Sequence, residues 1–91
     1  MVVFIGGGER PHIGSVSICE RGGEAFTMSV PEHKDYIVSN KAAQRIAEVT
    51  GQRCLVVVGI HIEDASKWDI QKLLEHSDKC VDLLLEKVRL L

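Results

Sequence analysis

No lysine or arginine in this chain is followed by a second basic residue, and the formal net charge is -2. With a pI near 6.0, the sequence has no electrostatic footprint for a phosphodiester backbone, so nucleic-acid binding is set aside. Long apolar runs are also missing. The longest span about five residues, far below a membrane span, and the N-terminal Met1-Val2-Val3-Phe4-Ile5 has neither the length nor the basic flank of a signal segment. A cytoplasmic protein without a membrane partner is the expectation. The three cysteines, Cys19, Cys54 and Cys80, form no Cys-x-x-Cys pair and are odd in number, which excludes a simple disulfide framework. Buried, reduced thiols are expected at all three. Two further absences concern phosphate sites: the glycine triplet Gly6-Gly7-Gly8 is followed by neither a P-loop lysine nor a helix start.

What is present describes one domain. Ninety-one residues that are 45% hydrophobic and 26% charged suffice for a single core of modest volume, spanning 1-91. Residues 2–5 read as a strand, the glycine triplet and Pro11 as a loop, and Ile13 to Glu20 alternates with the period of two that marks another strand. Arg21-Gly22-Gly23-Glu24 is a turn, and Ala25 to Val30 places Phe26, Met28 and Val30 on one face. The two segments therefore read as an antiparallel hairpin. Asp35 to Thr50 is an amphipathic helix whose apolar side is read as Ile37, Ala43, Ile46, Ala47 and Val49, closed by Gly51. Cys54 to Ile62 is apolar almost throughout. Such a strand is central, covered either on both faces or on one face with an interface on the other.

Ser66-Lys67-Trp68-Asp69 has capping-box spacing and opens a second helix, with Ile70, Leu73, Leu74, Ser77, Cys80, Val81, Leu84, Val88 and Leu91 on its stripe. Leu83, Leu85 and Leu90 widen that stripe, and the excess apolar surface suggests a homodimer or another partner contact. Trp68 reads as a packing anchor and His76 as solvated surface. The order β-β-β-α-β-α, with short connections, gives an α+β fold: a mainly antiparallel sheet with two helices packed on it.

Chemistry concentrates at strand ends. His12 follows the glycine triplet, His33 precedes the first helix, and His61 closes the apolar strand beside Glu63 and Asp64. Titratable side chains next to glycines at such places are common in binding sites and costly in cores. Imidazoles and carboxylates also ligate zinc, iron or manganese, so a metal-dependent enzyme using His12, His33 and His61 is one alternative. No two of these histidines have a spacing that would pair them on one element. Ser15 and Ser17 share a strand face near His12, yet an activated serine needs a base oriented by a third group, and no pattern supplies one.

Three segments carry a resemblance: Gly7 to Val16, with Pro11-His12-Ile13-Gly14; His33-Lys34-Asp35 with Lys41-Ala42-Ala43; and Gly59-Ile60-His61-Ile62-Glu63-Asp64-Ala65-Ser66. Together they resemble the prenylated flavin chaperone LpdD-like family, named for a component of gallate decarboxylase, whose fold is similar to the proteasome assembly chaperones. The resemblance implies a non-catalytic helper that assists cofactor loading or assembly of a UbiD-type decarboxylase. It implies no intrinsic cofactor, only transient prenylated flavin mononucleotide. The implied cofactor-binding residues are Gly7, Gly8, His12, Gly14, His33, Lys34, His61 and Asp64. Lys34 would meet phosphate, the histidines would donate to oxygen, and the glycines would let backbone approach. A protein-interaction module that assists oligomer assembly without binding a small molecule is the remaining alternative.

Overall fold

The computed structural model describes residues 1–9, 12–31, 34–61 and 64–89. Within them, four strands and two helices follow the expected order: β1 (Val2–Gly8), β2 (Ser15–Cys19), β3 (Phe26–Ser29), α1 (Tyr36–Thr50), β4 (Cys54–His61) and α2 (Lys67–Arg89). The strands form one sheet in the spatial order β1-β4-β2-β3. The hairpin β2-β3 and the pair β2-β4 are antiparallel, whereas β1 runs parallel to β4. The sheet is thus mixed, and β1, β4 and β3 all point the same way. β1 also continues through the glycine triplet, pairing Gly6, Gly7 and Gly8 with Gly59, Ile60 and His61. The triplet is therefore strand rather than loop.

Helix α1 lies on the sheet through Val38, Ser39, Ala42, Ala43, Ile46 and Ala47. Its expected stripe is corrected at both ends, since Ile37 and Val49 are exposed. Gly51, at φ 70°, ends the helix in the left-handed conformation and donates its N–H to the Ala47 carbonyl at 2.9 Å, which glycine does without Cβ strain. Helix α2 begins with the anticipated capping box: Asp69 N–H donates to Ser66 Oγ at 3.1 Å, and Ser66 N–H to Asp69 Oδ2 at 3.0 Å. It packs mainly on α1 rather than directly on the sheet. Lys41 reaches Asp78 at 2.9 Å and Arg45 pairs with Asp82, one turn further along both helices. The helices therefore run parallel. Ser77, Val81 and Leu85 are the buried residues of α2; Leu85 thus belongs to the core. Leu83 is exposed, and Leu90 and Leu91 lie outside the described residues. Trp68 is no packing anchor: its ring is 65% exposed, with Lys72 Nζ 5.6 Å from the centroid. Among the described residues no helix is long and apolar enough to cross a membrane.

The covered side of the sheet is polar along β2, beside the fully buried Val56 and Val58 of β4. Ser15, Ser17 and Cys19 of β2 face α1 and are buried, together with Ser39 of the helix. Small side chains let helix and sheet approach closely, and their hydroxyls satisfy one another. Ser15 Oγ donates to Ser39 Oγ at 2.8 Å, Ser39 and Ser17 Oγ lie 2.7 Å apart, and Ser17 lies 2.6 Å from Thr27 Oγ1. Asn40 continues the chain by donating to Thr27 Oγ1 at 3.0 Å. Ser15 and Ser17 are thus held in a structural network. Removing the shared hydroxyl by Ser39→Ala is expected to cost about 1–3 kcal/mol, because it withdraws a partner from two buried groups; urea unfolding at equilibrium measures it.

Two of the three thiols fit the expectation. Cys19 and Cys54 are buried, whereas Cys80 is exposed on α2 and departs from it. Burial raises the Cys54 thiol above its ordinary value, so little thiolate forms there at neutral pH. A thiol-reactive dye should label Cys80 rapidly in native protein, and Cys19 and Cys54 only after denaturant is added.

Candidate functional site

The topology sends the carboxyl ends of three strands and the N-termini of both helices to one end of the molecule. In open α/β sheets this end is where ligands bind, and the helix dipoles add positive potential there. To pass from β1 to β2 the chain must cross β4. It does so at Gly59, where a Cβ would lie 1.5 Å from the His12 carbonyl oxygen. Any other residue would push this connection away.

The crossing brings separated residues together. The His12 and His61 rings meet edge to face, centroids 5.4 Å apart at 87°. On its other side His12 Nε2 lies 3.3 Å from Asp35 Oδ2, with the two side chains only 21% and 12% exposed. Asp35 occupies the N-cap position of α1, yet its carboxylate makes no capping bond to the helix. It is directed at His12 instead. Gly14 makes room for it, since a Cβ there would fall 1.7 Å from Asp35 Oδ2. Gly8, at φ 80°, pairs with His61, and Glu9 N–H donates to the His61 carbonyl at 2.7 Å.

Beside this cluster lies a cleft of about 390 Å³, within the size range of small-molecule sites. Val38, Ile60, Leu73 and Leu74 make it apolar, and Lys34, Asp35 and His61 contribute polar groups. Of the residues singled out in the sequence, Lys34 and His61 line the cleft and His12 joins it through His61. Gly8 and Gly14 shape its backbone. Gly7 faces open space and is not required by any neighbour. Asp64 sits exposed in the turn before α2 at φ 51°, away from the cleft lining. His33 and Glu63 lie outside the described residues. Asp35 was missed as a site residue: an acid preceding a helix reads as a cap, and only the fold shows its carboxylate turned to His12. Among the described residues no three His, Cys, Asp or Glu side chains converge to hold a metal ion, so the metal-dependent alternative lacks support.

An apolar cleft lined by a lysine, a carboxylate and an imidazole has the character of a ligand-binding site. The chain belongs to the prenylated flavin chaperone LpdD-like domain family, whose profile matches residues 1–89. As a member of a chaperone family it is an accessory protein rather than an enzyme. It is similar to Protein LpdD of Lactiplantibacillus plantarum (strain ATCC BAA-793 / NCIMB 8826 / WCFS1), with 29% identity over 75 residues covering 77% of this chain and 55% of that protein. The chain thus spans little more than half the length of this curated relative.

Gly59→Ala should destabilise the protein by about 1–3 kcal/mol, because the His12 backbone must move. Gly7→Ala should change stability by less than about 0.5 kcal/mol. Chemical denaturation of the two variants beside the wild type distinguishes them.

Proposed function

We propose that this domain is a cytoplasmic chaperone that transiently holds prenylated flavin mononucleotide and assists its loading into a UbiD-type decarboxylase. The observation that carries the reading is the cleft itself, with an apolar wall beside Lys34 and the His12–His61 pair. The donor set fits such a ligand. A prenylated ring system gains from the apolar wall formed by Val38, Ile60, Leu73 and Leu74. The phosphate arm is an anion, which the Lys34 ammonium meets as a point charge and the imidazoles meet as hydrogen-bond donors. Gly8 and Gly14 keep the backbone close to His61 and Asp35. The cleft opens to solvent, which suits a protein that must give its ligand up. The flavin supplies the chemistry once it resides in the decarboxylase; here the residues bind and orient.

Titration with flavin mononucleotide, followed by flavin fluorescence, should give saturable binding. Lys34→Ala and His61→Ala should each weaken it about ten-fold or more, the scale of a lost charge-assisted hydrogen bond, while circular dichroism stays native. His12→Ala should weaken delivery of the prenylated flavin to the decarboxylase. Absence of saturable binding with both plain and prenylated flavin would sink the proposal and favour an interaction module that binds no small molecule.

A further inference from the structure

The sheet face turned away from the helices is apolar throughout its central rows. Register aligns Val2, Leu55, Ile18 and Phe26 in one row and Phe4, Val57, Val16 and Met28 in the next. None of these eight positions carries a charge or a hydroxyl. Val2, Phe4, Ile18, Phe26 and Met28 are 40% to 73% exposed. In β2 the alternation is thus the reverse of the usual one, with Ser15 and Ser17 covered and Val16 and Ile18 outside, whereas β4 is apolar on both faces, with Val56 and Val58 in the core.

We infer that this face is the interface between two copies of the chain, packed sheet against sheet. Size is the first argument. With aromatic side chains contributing on the order of 200 Å² when fully exposed, the eight residues present roughly 600–700 Å², above the largest patch of most monomers. A standard interface takes about 800 Å² from each partner. The second argument is independent of that sum. The chain exposes 6166 Å², whereas a compact monomer of 10.1 kDa exposes about 5300 Å². The excess, about 900 Å², matches one side of such an interface.

Composition selects the second copy over an unrelated partner. An isologous contact sets a patch against itself, and like charges would then meet like; a patch without charge avoids that conflict. Rows of β-branched and aromatic side chains suit aligned sheet packing at a spacing of about 10 Å. The second copy would also cover β4 on its open face, leaving α1 and α2 on the outside. The α2 stripe does not offer this surface, because Leu85 is in the core and Leu83 is its isolated exposed leucine among the described widening residues.

Sedimentation velocity at tens of micromolar, without flavin, is the test. Wild type should sediment as two chains. Phe4→Asp and Phe26→Asp, both at exposed positions, should raise the dissociation constant at least about thirty-fold with unchanged far-ultraviolet circular dichroism. Leu83→Asp should leave the dimer intact. Met28→Gln is the milder variant if a charge prevents folding, and it should weaken association in the same direction. A single-chain wild type, native sheet variants that associate like wild type, or dissociation by Leu83→Asp alone would each overturn the inference. Because flavin is absent throughout, the result is separate from the ligand reading.

Discussion

The Ser39 hydroxyl, placed between Ser15 and Ser17 at 2.8 and 2.7 Å, is the contact on which the architecture depends. It allows α1 to sit on a sheet face built from serine, threonine and cysteine as well as valine. Close approach through Ala42, Ala43 and Ala47 follows, since larger side chains at those positions would hold the helix off the hydroxyls. A buried polar seam of this kind is stable only while each member is satisfied. It also fixes the strand registers, because a one-residue slip would exchange Ser15 and Ser17 for Val16 and Ile18. The large side chains of β2 and β3 are thereby committed to the other face.

From that commitment come two surfaces with different characters. One is the apolar sheet face, to which the hydroxyl seam commits Val16 and Ile18 of β2 and Phe26 and Met28 of β3. The other is the strand-end site, where the connection over Gly59 brings His12 to His61 and Asp35. The two adjoin at Gly59, the residue that follows Val58 in β4. A chaperone that associates through the sheet would therefore position its ligand cleft next to the interface, on the same strand that supplies the core.

Much of the architecture was legible in residue order. Alternation from Ile13 to Glu20, the Gly22-Gly23 turn, the Gly51 stop and the Ser66/Asp69 capping box each acted through local chemistry and appear as read. What escaped required tertiary information. The parallel pairing of β1 with β4 carries the strand through Gly6, Gly7 and Gly8, although glycine weakens strands locally. Period two identified the faces of β2 without deciding which was covered, and hydrophobicity alone would have chosen the wrong one. In the site, His12, His61 and Lys34 stood out as polar groups beside glycines or helix starts. Asp35 did not, because a cap and a histidine partner look alike in sequence.

The arrangement of the site argues for holding rather than transforming a ligand. Asp35 faces His12, and His12 packs on His61, but Ser15 and Ser17 are occupied by Ser39, so neither hydroxyl is offered to a base. What the cleft presents is an apolar wall, a lysine, an imidazole and the Asp35 carboxylate that faces His12. In the proposed role these groups would hold an anionic aromatic ligand without distinguishing stages of a reaction, and uniform binding does not accelerate chemistry. For a carrier, however, the useful quantity is the difference between its affinity and that of the acceptor. In the proposed loading role an open cleft would keep this affinity low, while the lysine at its lining would still draw an anion in. Enclosing the ligand further would tighten binding chiefly by slowing release, which is the step a loading protein needs to keep fast.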